Sequence, residues 1–285
     1  MRSTDDEARG VGVYECPGSL GGRLFTVEVT MRTTFRRFGT NRIIEHWIQM
    51  MTFSVLVVTG LSEKFYALDS ARWIILHMGG IDNVRLVHRY AAILFSLAIA
   101  AHILIAIVGV VVKRWQPSMV ITKNDFRNAV HNIRYYLGKE QYPAPGGRYS
   151  YMQKFEYWGI LTGGLLMMIT GAVLWKPMFI TRFMSGEIIP AAKVLHTNEA
   201  LVVFLIIAVW HIYNAIFSPE VFPLNTSIFA GSISRERMIY EHILELARIE
   251  GTTPEAIRAH RNERGEQDPL MRDERQESAG NQPGG

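Results

Sequence analysis

Four segments, residues 43–61, 84–112, 157–175 and 194–217, run almost free of charge between strongly charged flanks. Each exceeds the roughly 17 residues that a helix needs to cross a hydrocarbon core of about 30 Å. No water reaches the backbone there, so a chain that does not close into a barrel can satisfy its amides only as helix. Whole-chain averages, 48% hydrophobic and 20% charged, hide this alternation. The expected fold is all-α, an integral membrane four-helix bundle with short peripheral helices.

Histidines recur within those segments. His88 and His102 are 14 residues apart, and His196 and His211 are 15 apart. At about 100° per residue, the second member of each pair returns to within roughly 40 to 60° of the first. A rise of about 1.5 Å per residue separates the two by about 21 Å along the axis, one towards each leaflet. His46 lies in the first segment, so five of the nine histidines are intramembrane. A lone histidine on an apolar helix of a soluble protein is usually a packing residue. In hydrocarbon, ionisable groups are costly and face a site in the bundle interior. Imidazoles paired and stacked in this way are the geometry of two stacked haems. The single Cys16 excludes a disulfide framework, a thiolate cluster and covalent haem attachment. Two non-covalent b haems are the expected cofactors.

Basic residues set the orientation. Five arginines lie between residues 23 and 42 and eight Lys or Arg between 113 and 154, against two in residues 62–83 and three in residues 176–193. Both termini are therefore expected on the cytoplasmic side of a bacterial inner membrane. Residues 1–39 read as a polar leader without a signal-peptide core, and Met31 is an alternative start. Residues 40–231 form the dihaem domain. In the second loop, Tyr142-Pro143-Ala144-Pro145-Gly146-Gly147 breaks any helix running through Ile133. Residues 232–285 form a cytoplasmic tail, with an amphipathic helix over 235–249 and a charged, disordered end from Arg261. No internal repeat is evident beyond the histidine pairs, and no phosphate loop, hydrolase motif or nucleophile elbow occurs. Nothing points to nucleic acid.

Topology restricts the pairing. The first span runs outwards, and the second and fourth run inwards, which places His88 and His196 together at the outer side. His46, His102 and His211 compete for two inner places, and spacing alone allows either His46 or His102 opposite His211.

Arg42-Ile43-Ile44-Glu45-His46-Trp47, followed by Val57-Val58-Thr59-Gly60-Leu61, resembles the first span of the cytochrome b (gamma) subunit of membrane-bound formate dehydrogenases and the related cytochromes b of nickel-iron hydrogenases. The likeness continues through Arg85-Leu86-Val87-His88, Tyr149-Ser150-Tyr151-Met152-Gln153-Lys154, Ile169-Thr170-Gly171-Ala172-Val173-Leu174-Trp175-Lys176-Pro177 and Trp210-His211-Ile212-Tyr213. That family is a four-helix dihaem protein passing electrons to quinone. The resemblance implies haem ligands His46 with His211 and His88 with His196. His102 is then surplus, although the arrangement of mitochondrial-type cytochrome b would use it. It also implies a quinone pocket (menaquinone or ubiquinone) near Ser150, Gln153, Lys154 and His211. The implied partners are an iron-sulfur subunit at the outer face and a catalytic oxidoreductase subunit beyond it.

Around such a site, Thr59, Thr197 and Ser96 are candidate hydrogen-bond partners of the ligand Nδ1 atoms. Arg42 and Arg85, at opposite span ends, either pair with haem propionates or follow the interfacial rule for basic residues. Gly60, Gly163, Gly164 and Gly171 permit close helix packing or make room for a porphyrin. The chain has neither a domain large enough to oxidise a substrate nor cysteines for iron-sulfur clusters, so it is expected to be an electron-transfer subunit. Two other readings are a free-standing b561-type shuttle and a haem-free membrane scaffold or transporter.

Overall fold

The computed structural model describes residues 7–14, 25–218, 221–222 and 224–263. Cys16, Arg23 and most of the charged end expected to be disordered lie outside them. The leader carries strands β1 (Glu7–Tyr14) and β2 (Phe25–Arg32), an antiparallel pair in the register Glu7 to Arg32 and Tyr14 to Phe25. Strand β3 (Thr34–Arg36) precedes the first long helix, α1 (Thr40–Lys64). After α2 (Asp69–His77), the chain returns in α3 (Ile81–Val111), which lies antiparallel to α1. Next come α4 (Lys123–Tyr136), α5 (Tyr151–Trp175), the short α6 (Pro177–Ile180) and α7 (Ile188–Leu205). The short α8 (Ser227–Ala230) and β4 (Ser232–Ser234) lead into α9 (Arg235–Glu241), α10 (Ile243–Glu250) and α11 (Pro254–Glu263).

Four helices are long and apolar enough to cross a membrane: α1, α3, α5, and α7 extended to Phe217. Their outward faces carry large apolar side chains. Leu97, Val111, Ile169 and Val209 are 62%, 63%, 63% and 67% exposed. Water would penalise such a surface over this extent, whereas lipid tails cover it without cost.

Beyond Leu205 the fourth span changes its winding. Residues Ile206–His211 and Tyr213–Phe217 are π-helical, with Ile212 N–H bonded to the Ile207 carbonyl and Ser218 N–H to that of Tyr213. A wider turn takes up about one additional residue without changing the face presented. The 15-residue spacing of His196 and His211 thus becomes equivalent to the 14-residue α-helical spacing of His88 and His102.

The chain divides into two compact units. One comprises residues 1–121 and 152–233, the other residues 122–151 and 234–285. In the first, both ends of the bundle sequence are tied together: β3 pairs with β4, and the Arg37 and Phe38 amides donate to the Gly231 carbonyl at 2.7 and 3.0 Å. Gly231 has φ +74°, and a Cβ there would lie 2.9 Å from the Phe38 carbonyl oxygen.

The second unit joins the second loop to the tail, a grouping that a linear division of the chain does not anticipate. Thr122 and Asp125 form a capping box on α4. The turn-rich segment packs against the tail: His242 Nδ1 donates to the Gly147 carbonyl at 2.7 Å, and Arg148 donates to Glu245 at 2.8 Å. A Cβ on Gly146 would overlap the Glu241 carbonyl, which explains the glycine. The single amphipathic helix expected over 235–249 is instead α9 and α10, broken at His242, whose backbone leaves the helical region at φ −139° and ψ 38°. Met238, Ile243 and Leu246 of these helices are buried, as is Ile257 of α11.

The tie at Gly231 predicts that Gly231→Ala destabilises the first unit by about 1 to 3 kcal/mol, because the substitution combines a left-handed backbone with a carbonyl clash. A lowered thermal midpoint of the purified protein in detergent would measure it.

Candidate functional site

The end of the bundle where α1 begins is called proximal here, and the other end distal. At the distal end, the site is built on threonine. Thr59 of α1 donates its hydroxyl proton to the Val55 carbonyl at 2.7 Å, so its oxygen is left to accept from His88 Nδ1 at 2.8 Å. Thr59 is 1% exposed, which leaves no room for water to compete. α5 repeats this for α7. Thr170 donates to the Leu166 carbonyl at 2.8 Å and accepts from His196 Nδ1 at 2.8 Å.

Both imidazoles are therefore held with the proton on Nδ1 and a bare Nε2. The glycine after each threonine completes the cradle. A Cβ on Gly60 would stand 3.3 Å from His88 Cε1, and one on Gly171 would stand 3.3 Å from His196 Cε1. The two rings lie with centroids 6.4 Å apart and their planes at 74°.

At the proximal end, His46 of α1 faces His211 of the π-helical segment, with centroids 6.2 Å apart. Here the orienting group is a carboxylate: His211 Nδ1 donates to Glu156 Oε1 of α5 at 2.6 Å. Two imidazoles on opposite sides of one iron, each bonded at about 2.0 Å with its nitrogen about 1.2 Å from its own ring centre, have centroids about 6.4 Å apart. Both facing pairs fit that spacing. Among the described residues no group of three or more His, Cys, Asp or Glu side chains is placed to hold a metal ion.

His102 occupies a different environment. Its Nδ1 lies 3.1 Å from Glu45 Oε2 and 3.1 Å from the Arg42 guanidinium, and its Nε2 is 3.0 Å from the Tyr157 hydroxyl. With the proton on Nδ1 given to Glu45, Nε2 accepts from Tyr157. Both ring nitrogens are then engaged within the protein.

The remaining sequence candidates separate by position. Arg42 also pairs with Glu45 at 2.7 Å, at the proximal end. Arg85, distal, lies 3.3 Å from Glu63 and 3.7 Å from Asp82. Gln153 and Lys154 lie in the first turn of α5, just before Glu156, while Ser150 belongs to the segment of the second unit. Gly163 and Gly164 serve helix packing, since Cβ atoms there would lie 3.1 Å from Glu199 and Val203 and 3.0 Å from Ile99. Thr59 meets His88, whereas Thr197 bonds to the Val194 carbonyl of its own helix.

Sequence reasoning missed Thr170, Glu45, Glu156 and Tyr157. A readable signal existed: Glu45 and Thr59-Gly60 are 14 residues apart, as are Glu156 and Thr170-Gly171, and a tryptophan follows each glutamate by two. Within the bundle, α1 presents Glu45 and Thr59 to His102 and His88, and α5 presents Glu156 and Thr170 to His211 and His196. The expectation that nothing repeats beyond the histidines is thereby corrected. Its helices drift too far in sequence for the repeat to stand out, and the π-helical insertion shifts the second copy by one residue.

Comparison with known proteins agrees with this architecture. The chain is 27% identical over 186 residues to the "Formate dehydrogenase, cytochrome b556(fdo) subunit" of Escherichia coli (strain K12), covering 65% of this chain and 81% of that protein. It is 27% identical over 189 residues to the "Formate dehydrogenase, cytochrome b556 subunit" of Haemophilus influenzae, covering 66% and 74%. With the nitrate-inducible cytochrome b556(Fdn) subunit of Escherichia coli (strain K12) it shares 22% over 170 residues, 60% of this chain and 72% of that protein. Residues 37–224, which include all four spans and all five intramembrane histidines, match the prokaryotic cytochrome b561 family, and the chain belongs to it.

Proposed function

We propose that the chain is the membrane cytochrome b subunit of a respiratory oxidoreductase, with haem ligands His88 and His196 at the distal site and His46 and His211 at the proximal site. The observation that carries this reading is the two facing imidazole pairs, spaced for an iron and each with at least one ring held by Nδ1. Bound there, two b haems supply one-electron carriage between an iron-sulfur partner at one face and membrane quinone at the other. Holding Nδ1 fixes the tautomer and the ring orientation before any metal arrives, and it raises the basicity of Nε2. A haem iron held by both imidazoles of a pair would have no open position for oxygen or substrate, which suits electron transfer rather than activation.

The basic flanks put the proximal end and both termini on the cytoplasmic side. An electron crossing from the distal to the proximal site moves one charge through most of the bilayer, about 2.3 kcal/mol per 100 mV. The relatives named as formate dehydrogenase subunits make formate a candidate ultimate reductant, with a catalytic subunit beyond the iron-sulfur partner. Arg42 and Arg85, near the proximal and distal pairs respectively, are candidates for propionate contacts. Gln153 and Lys154, at the same end as His211, supply polar groups for a quinone carbonyl.

Haem content tests the ligand assignment. A pyridine haemochrome assay is expected to give two haems per wild-type chain and one in each of His88→Leu, His196→Leu and His46→Ala. His102→Ala is expected to keep both, because its ring is already bonded at both nitrogens within the protein. Loss of a haem from His102→Ala, with retention in His46→Ala, would transfer the proximal ligand to His102.

The quinone assignment has its own measurement. Gln153→Ala should slow reoxidation of the reduced haems by a quinone analogue about tenfold, the scale of one lost hydrogen bond to a bound carbonyl, without changing haem content. Unaltered kinetics would place the quinone elsewhere.

A further inference from the structure

The four hydrogen bonds that orient histidines in this bundle are not alike. His88 and His196 are each held by a threonine hydroxyl that has already given its proton to its own helix. At the proximal pair, His211 is held by the Glu156 carboxylate at 2.6 Å, in a side chain only 13% exposed, while His46 has no hydrogen-bond partner among the described residues. The distal pair thus meets two neutral acceptors and the proximal pair one carboxylate.

A carboxylate accepting from Nδ1 draws that proton towards itself and moves electron density onto Nε2, more strongly than a hydroxyl does. A more electron-rich ligand favours the ferric over the ferrous state. Low exposure strengthens the effect, because little water screens the pair. The local sequence bears on the choice too. Glu156 lies in the second turn of α5, just before the charge-free residues 157–175, and a carboxylate so little exposed persists where it has a specific partner. Glu156 has one, the Nδ1 of His211.

We propose that Glu156 is a positioning residue that makes the two redox sites unequal, lowering the potential of the proximal one through His211. The proposal rests on His211 being a haem ligand. Its counterpart Glu45 applies the same chemistry to His102, but there the far nitrogen is closed off by Tyr157, so the effect reaches no metal.

The test is a spectroelectrochemical titration of the full chain in detergent, comparing wild type with Glu156→Gln. The amide keeps the shape and the hydrogen bond but removes the charge. Both b centres are expected to remain. One midpoint should rise by a factor of at least ten in the one-electron equilibrium constant, about 59 mV, and the other should stay in place. Two retained centres with neither midpoint moved, or with both moved equally, would overturn the proposal.

Should Glu156→Gln not hold two haems, Glu156→Thr carries the same measurement, since it copies the acceptor used at the distal site. Loss of the same haem from both variants, with the remaining midpoint unmoved, would assign Glu156 to assembly alone and also overturn it. His211→Leu separates the two levels. If that variant keeps both haems, the ligand assignment has failed. If it loses one while Glu156→Gln leaves both midpoints unmoved, only the tuning has failed.

Discussion

A hydroxyl that has spent its proton can only accept, and the distal site depends on that fact. Thr59 and Thr170 each donate to a carbonyl one turn earlier in their own helix, so the imidazole beside each must be the donor. In water this would be a weak preference. Inside an apolar bundle an unmade hydrogen bond costs about 1 to 3 kcal/mol, which is enough to fix one tautomer almost completely. The proton stays on Nδ1, and Nε2 is left without it. The glycine that follows each threonine lets the ring approach the helix closely enough for the bond to form.

The same economy explains why α7 carries two of the four facing histidines. One helix can present side chains to two depths only if they share a face, and 15 residues of regular α-helix would leave His211 turned by roughly 60° from His196. The π-helical stretch over Ile206–His211 absorbs that excess. Irregular winding is tolerated in a membrane where neighbouring elements satisfy the freed backbone groups. Here it carries His211 to both His46 and Glu156.

The two hairpins share a plan and differ in one residue that matters. His46 stands on α1 where Tyr157 stands on α5, directly after the glutamate in each case. Between α1 and α7 this yields two imidazoles with ring centroids 6.2 Å apart. Between α3 and α5, a phenol closes on His102 at 3.0 Å. The asymmetry of the proximal end therefore comes from one side chain on a repeated frame, and His102 becomes part of a polar network with Arg42 and Glu45.

Hydropathy alone determined the four spans, because backbone amides in hydrocarbon have no partner but their own helix, and residues 43–61, 84–112, 157–175 and 194–217 fall within helices or their π-helical continuation except for Val112, which caps α3. Histidine spacing, read along a helix, was enough to show that His88 and His102, and His196 and His211, share faces at two depths. Sequence could not choose between His46 and His102, since depth is a coordinate along the membrane normal and the choice is made across it. Only the tertiary structure places Tyr157 against His102, Glu156 against His211, and the second loop in one unit with the tail. These are contacts between residues 55 or more apart in the chain, and a side chain's partner across a bundle is set by how helices rotate about their own axes. That rotation depends on the packing of all four helices together, and no single segment encodes it.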